Sequence, residues 1–305
     1  MDNLYWGDLH AHCGISYGTG SLENACLNAR EHLDFVSVVG HALWHDMPPK
    51  KGRLACVSQY HEEAFVRLAD NWPEVMRQME AQNEPGSFIT IPGYEWHSLH
   101  FGDYIVFYPH THGDILPAET PCELAEKVRP HDALLIPHHP AYAPGFRAMD
   151  WAAFPEGAAP LVEIFSSHGC GEADDAPFPY YHSMGPRDSR TTARAGLDRG
   201  LRFGLSASTD NHAGYPGAWG CGVTGVFAKE LTREALFDAI RNRRTIAVTG
   251  DRIAMDFQVN DCQIGGVAQR GSGPLSLNGT VCGLDRIAEI EIIKNGKVWA
   301  RPAGR

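Results

Sequence analysis

Two histidines separated by a single alanine, His10 and His12, stand near the start of the chain in WGDLHAHCGISYGTGS. LYWGDLHAH mixes aromatic and aliphatic residues and predicts a short strand, in which residues two apart share a face. Both imidazoles then project the same way, close enough to grip one metal ion. Near the other end of the chain, STDNH repeats the spacing with Asp210 and His212. Between them, short β-rich runs lead into a His or an acid. DFVSVVGH ends at His41, SFITIPGYEWH at Glu95 and His97, ALLIPHHP at His138 and His139, and LVEIFSSHG at His168. Imidazole and carboxylate are the donors that Zn²⁺, Mn²⁺ and Fe²⁺ take. A Glu between two ions can bridge them, and such ions activate water for hydrolysis. A lone HxH arises easily by chance; the same chemistry after one strand run after another does not.

These residues need elements that bring strand ends together. The runs are continuous and apolar, the mark of strands buried on both faces, as in a parallel sheet. Helical patterns lie between them. SLENACLNAREHL puts Leu22, Ala25, Cys26, Ala29 and Leu33 on one stripe, with Ser21 as N-cap. QYHEEAFVRLADNWPEVMRQMEAQN predicts a helix broken or restarted at Pro73, and TREALFDAIRNRR one capped by Thr232. Ligand-type residues follow too many strands for the single crevice of a doubly wound open sheet. The expected fold class is therefore α/β, a (β/α) barrel with its site on the C-terminal face. After about residue 250 the texture changes to β-type runs and Gly-rich turns, with a hairpin signal at Asn295–Gly296. We read residues 1–250 as the barrel and 251–305 as a small antiparallel β module. Because the chain stops just after a strand run, the natural protein is expected to continue.

The chain has 305 residues, 43% of them hydrophobic, and a formal net charge of −11. That balance argues against a general binder of long nucleic acid, which carries a basic face. It points instead to a small-molecule substrate. No run approaches the roughly 20 apolar residues that span a bilayer, and no basic-then-apolar leader precedes the first strand. The eight cysteines form no CxxC pair; they read as reduced thiols of a cytoplasmic protein, with Cys13 and Cys170 as small buried residues. Oligomeric state leaves no mark in the sequence.

The motif set GDLHAH, GSLENA, HLDFVSVVGHA, GYEW, PHHP, VEIFSSHG, STDNH and RRTIAVTGDRI, spread over most of residues 5–255, resembles the PHP (polymerase and histidinol phosphatase) superfamily of metal-dependent phosphoesterases, and more closely its DUF3604 branch. The C-terminal IEIIKNGK is similar to that branch's β module. The resemblance implies a distorted (β/α)7 barrel holding two or three divalent ions. It implies that His10, His12, Glu95 and Asp210 hold one ion. Glu95 and a histidine of the HHP pair, His139 in preference to His138, would hold a second, and His41 and His212 would contribute to a third. A further second-site ligand is expected among His97, His100, Asp103, His110 and His112, with Asp103 and His100 as the first candidates.

The family's first motif often runs H-x-H-x-x-x-S-D-G, with the Asp or a His on the third ion. Here Ser16 is followed by Tyr17. A tyrosine must lose a proton with a pKa of about 10 to bind metal, so Tyr17 vacates the position and is read as a substrate contact. Glu23 and His168 are alternatives for completing that site. His168 and His212 are the expected proton-transfer residues. Arg187, with Arg190 and Arg194 beside it, could clamp an anionic ester, and Tyr215 and Trp219 could line the pocket. His45, His61, His131 and His182 read as decoration of loops and helices. The expected function is metal-dependent hydrolysis of a phosphate ester. The alternatives are hydrolysis of a carboxylic ester, lactone or amide on the same metals, and metal or ligand binding without catalysis.

Overall fold

The computed structural model describes residues 2–52, 55–180, 187–269 and 271–302; His182 lies outside them. In chain order the elements are β1 (Asn3–Ala11), α1 (Leu22–Arg30), β2 (Phe35–Val38), β3 (Gly40–Trp44), α2 (Ala55–Ala81), β4 (Ile89–Thr90), β5 (Gly93–His97), β6 (Asp103–Phe107), α3 (Pro121–Val128), β7 (Leu134–His138), β8 (Leu161–Ser166), β9 (Gly169–Cys170), α4 (Ala193–Asp198), β10 (Gly204–Ala207), β11 (Val223–Ala228), α5 (Arg233–Arg241) and β12 (Thr245–Val248). They are followed by β13 (Ala254–Val259), β14 (Cys262–Gln263), β15 (Leu277–Cys282), β16 (Ile292–Lys294) and β17 (Lys297–Ala300).

The fold is mixed α/β, and its ladders form separate sheets rather than one closed barrel. One sheet runs β12-β11-β1-β2-β4, a second β3-β5-β6-β7 and a third β10-β8-β9. The strands β1-β2, β2-β4, β3-β5 and β8-β10 pair in parallel. The pairs β5-β6, β6-β7 and β1-β11 are antiparallel. The purely parallel sheet expected from the apolar runs is thus corrected. A strand buried on both faces reads as a continuous apolar run whichever way its neighbour points.

Alternation along the strands divides the interior in two. Leu9, Phe35, Ile89, Ile105, Ile136, Leu161 and Val226, from seven different strands, meet in one apolar cluster. The opposite faces, with Val36, Tyr94, Trp96, Tyr104 and Val106, pack in a second cluster with the stripes of α1 and α2. α1 is capped as its sequence predicts, Ser21 Oγ accepting from the Asn24 amide at 3.1 Å, and Thr232 caps α5 in the same way. α2 corrects the expected break: it continues through Pro73. A proline inside a helix costs about 3 kcal/mol. The buried stripe continues on both sides of it as Ala64, Leu68, Trp72, Val75, Met76 and Met79, and burying such side chains stabilises by about 1.5–3 kcal/mol each.

Beyond β12, β13 pairs antiparallel with β14 and β15. β16 and β17 form a hairpin through Asn295 (φ 50°) and Gly296 (φ 69°), the two positive φ values a tight type I′ turn needs. Among the described residues, no helix is long and apolar enough to cross a membrane.

Candidate metal centre

The first end of the site is built on β1. His10 donates from Nδ1 to the Glu163 carboxylate of β8, 3.1 Å from Oε2, and His12 donates from Nδ1 to the Val39 carbonyl at 2.9 Å. Each contact fixes a tautomer and turns Nε2 inward. The two Nε2 atoms stand 3.0 Å apart. Two lone pairs repel at that distance unless a positive charge lies between or beside them. Asp210 Oδ1, just beyond β10, is 3.4 Å from His10 Nε2 and 3.1 Å from His12 Nε2. Glu95 Oε2 lies 3.8, 3.5 and 3.1 Å from Nε2 of His10, His12 and His41. It is buried and has no hydrogen-bond partner among the described residues.

Burial and charge oppose each other here. Burial disfavours charge on His10, but the Asp210 and Glu163 carboxylates outweigh it and raise its pKa well above the usual imidazole range. Burial would raise Glu95 and Asp210. The histidines around them, His41 first for Glu95 and His10 first for Asp210, hold both well below the usual carboxylate range instead. Burial holds His41 and His139 well below their usual values, and burial with the neighbouring His12 lowers His212 to about 4. Burial thus favours the uncharged form of these three rings. His212 donates from Nδ1 to the Asp210 carbonyl (3.2 Å), leaving Nε2 as the acceptor, and its side chain is 37% exposed. His168 Nε2 meets Asp210 Oδ2 at 2.9 Å, with Tyr142 OH on its Nδ1.

The second end comes from the β5-β6-β7 hairpins. Because β5 and β6 run antiparallel, Asp103 at the start of β6 returns beside His97, Oδ1 lying 3.4 Å from Nδ1. His138, paired with Asp103 in the β6-β7 register, reaches Glu95 Oε1 at 3.0 Å. His139 reaches Asp103 Oδ2 at 3.3 Å and stacks on His168. His138 thus makes the direct contact with Glu95, while the preferred His139, at φ 32° before Pro140, contacts Asp103 and lies with Glu95 in one group of donor atoms within 4.8 Å. Arg147 enters from the loop after β7. Its Nη2 contacts Asp103 Oδ2 and lies 3.6 Å from Glu95 Oε1 and 3.1 Å from His97 Nδ1. His139, Arg147 and Asp210 all have positive φ, a conformation that costs a non-glycine residue on the order of 1–3 kcal/mol and gathers at functional sites.

His10, His12, His41, Glu95, His138, His139, His168, Asp210 and His212 thus fall into overlapping groups of donor atoms within 4.8 Å of one another, together with His97 and Asp103. The other expected residues lie elsewhere. His100 and His112 are exposed, and His110 stacks between Tyr108 and His112. Arg187 donates to the backbone carbonyls of Ala173 and Phe178, so its charge is spent in its own loop. Trp219 is 87% exposed. Tyr17 stacks on His41 with ring centroids 3.6 Å apart, and its hydroxyl meets His61 Nε2 at 3.2 Å. Burial, with Glu95 nearby, raises that phenol well above its usual pKa, so it stays a neutral donor.

Arg147, Glu163, Asp8 and His61 are contributors that sequence reasoning missed. Asp8 accepts from the amides of His10, Thr209 and Gly217 and from the Thr209 hydroxyl, tying the Asp210 loop to β1. Glu163 did carry a signal, an acid inside the apolar run LVEIF. Arg147 carried none.

Comparison with known proteins gives partial likenesses. An uncharacterized protein of Chlamydia pneumoniae is 28% identical over 255 residues, 75% of this chain and 40% of that protein. One of Chlamydia muridarum is 26% identical over an alignment of 321 residues, 96% of this chain and 48% of that protein. The chain spans less than half the length of these curated relatives. Among solved structures, PsfC from Pseudomonas syringae is 15% identical with a TM-score of 0.50, over 81% of this chain and 91% of that one, a likeness of fold. A two-domain protein of Bacteroides vulgatus "containing predicted PHP-like metal-dependent phosphoesterase" is 14% identical over 94% of this chain and 89% of that one. Its TM-score is 0.48. Residues 217–262 match the model of a family described as "Protein of unknown function (DUF3604)", and over that stretch the match bears out the DUF3604 resemblance read from the sequence motifs.

Proposed function

We propose that the protein is a metal-dependent hydrolase of phosphate esters. The observation that carries this is the facing pair of Nε2 atoms on His10 and His12, 3.0 Å apart, with Asp210 Oδ1 beside both and the unpartnered Glu95 Oε2 close by. Divalent ions, Zn, Mn or Fe, would be held by His10, His12, Glu95 and Asp210, with His41 on one flank and His139 on the other. Such ions supply acidification of water, from a pKa of 15.7 toward about 7, and positive charge that offsets a phosphoryl group. The chain's own groups do the positioning. Glu163 and the Val39 carbonyl lock the two imidazoles, and Asp8 holds the Asp210 loop against β1. His212, the half-exposed member, offers Nε2 to a proton at the open side. His168 carries its proton at Nε2 toward Asp210.

The proposed substrate is a small anionic ester; the net charge of −11 weighs against long nucleic acid. We also propose that the sheets are the walls of the distorted (β/α)7 barrel expected from the family. The Asp210 amide bonds the His10 carbonyl at 2.7 Å and the His12 amide bonds the Asn211 carbonyl at 2.8 Å, which lays the end of β10 against β1 and supports that reading. The eight free thiols fit work in the cytoplasm.

The test is turnover by Mn²⁺- or Zn²⁺-loaded protein on phosphate monoesters, diesters including oligonucleotides, carboxylic esters and lactones. A His10→Ala, His12→Ala variant serves as the control. Loss of phosphoester turnover by at least about 10³-fold, roughly 4 kcal/mol of barrier, is expected. Equal turnover by the variant sinks the proposal, and metal-dependent turnover of carboxylic esters or lactones alone replaces it with the alternative bond.

A further inference from the structure

The geometry points to Arg147 as a built-in cation that takes the place of a metal ion at the Glu95/Asp103 end of the cluster. The inference rests on the reading that the other end binds metal.

Glu95, Asp103, His138 and His139 place four donor atoms within 4.8 Å, all buried. By residue type alone this is an ion site. The guanidinium is already in it. Arg147 Nη2 contacts Asp103 Oδ2 and stands 3.6 Å from Glu95 Oε1. It also lies 3.1 Å from His97 Nδ1. His97 Nδ1 is itself 3.2 Å from Glu95 Oε1 and 3.4 Å from Asp103 Oδ1, so the guanidinium lies against the same two carboxylates that the imidazole faces. An ion bound at the roughly 2.0–2.2 Å these ligands require would sit against a full positive charge with no water between.

Nor is Arg147 a surface side chain that has fallen inward. Its side chain is 11% exposed, its guanidinium lies 5.3 Å over the Trp44 ring, and its amide donates to the Leu99 carbonyl at 3.0 Å. The backbone holds it there at φ 66°. Burial would raise the Asp103 carboxyl; Arg147, the strongest opposing charge, keeps it below its usual value. At the His10/His12 end, Asp210 has only histidines as ion-pair partners among the described residues, and Glu95 presents Oε2, the oxygen that Arg147 does not contact. The two ends thus use different cations, one fixed and one exchangeable.

The experiment counts ions on the full chain. Wild type, Arg147→Met and Asp103→Asn are stripped with chelator and dialysed to equilibrium against Mn²⁺, and bound metal is measured by elemental analysis. Arg147→Met is expected to bind one Mn²⁺ per chain more than wild type. No gain overturns the inference. If Arg147→Met does not fold, Asp103→Asn decides: an unchanged count means its carboxylate serves Arg147, and the loss of one ion means it is a ligand and overturns the inference. No ion on any of the three chains overturns the metal reading and the inference with it. Ions on wild type without a gain in Arg147→Met overturn the inference alone.

Discussion

The two ends of the buried cluster are made of the same side chains and differ in what balances their charge. At the His10/His12 end, the imidazoles face the Glu95 and Asp210 carboxylates, and no guanidinium or ammonium contacts Asp210 among the described residues. At the Asp103 end, a guanidinium already contacts the carboxylate. The difference shows that a donor set does not by itself define an ion site. Occupancy depends on which positive charges the chain has built in, and a long loop can deliver one that local sequence does not announce.

The largest expected effect tests the fixed end. Removing one partner of a buried ion pair costs about 3–5 kcal/mol, because the other charge is left stranded. Arg147→Met should therefore lower the stability of metal-free protein by about that much in denaturant unfolding. Added Mn²⁺ should recover more stability in the variant than in wild type. A loss below about 1 kcal/mol would mean that Asp103 and Glu95 are balanced by the surrounding histidines, and the contrast between the ends would dissolve.

A smaller effect tests the exchangeable end. Glu163 orients His10 without itself belonging to any of the donor groups. Partners of ligating histidines typically cost 10–100-fold in metal affinity when removed. Glu163→Ala should weaken Mn²⁺ binding by roughly that factor in calorimetric titration, while the Arg147–Asp103 pair keeps its contribution to metal-free stability. An unchanged affinity would remove His10 from the ligand set.

Much of this was written locally. Ser21, Thr232 and Asn295–Gly296 act within a few residues, and each does in the structure what its sequence predicts. His10 and His12 share a face because β1 is extended. What could not be read is what depends on strand direction and loop reach. The antiparallel turn from β5 to β6 brings Asp103 to His97, and fully buried strands do not encode that direction. Arg147 sits in a loop whose own pattern, APGFRAMD, has no period. His61 lies on the inward stripe of α2, where a site residue and a core residue look alike.

Tyr17 gives the smallest effect and the finest distinction. His61 donates from Nδ1 to the Val57 carbonyl at 2.9 Å, so its Nε2 accepts, and the Tyr17 hydroxyl is the donor. The ring meanwhile covers His41. Tyr17→Phe keeps the ring and loses only the hydrogen bond, which is worth about 0.5–1.5 kcal/mol. Unfolding should register that loss, with Mn²⁺ stoichiometry unchanged. A phenolate ligand would behave otherwise: the variant would lose an ion, and a loss of that kind would make Tyr17 part of the exchangeable end. Tyr17→Asp probes the same position from the opposite side. It removes the ring from His41 and offers a carboxylate to the His12, His41 and His212 group, so one additional Mn²⁺ is expected. Both substitutions leave the Arg147 end untouched, and so they separate a site closed by an uncharged aromatic ring from one closed by a permanent charge.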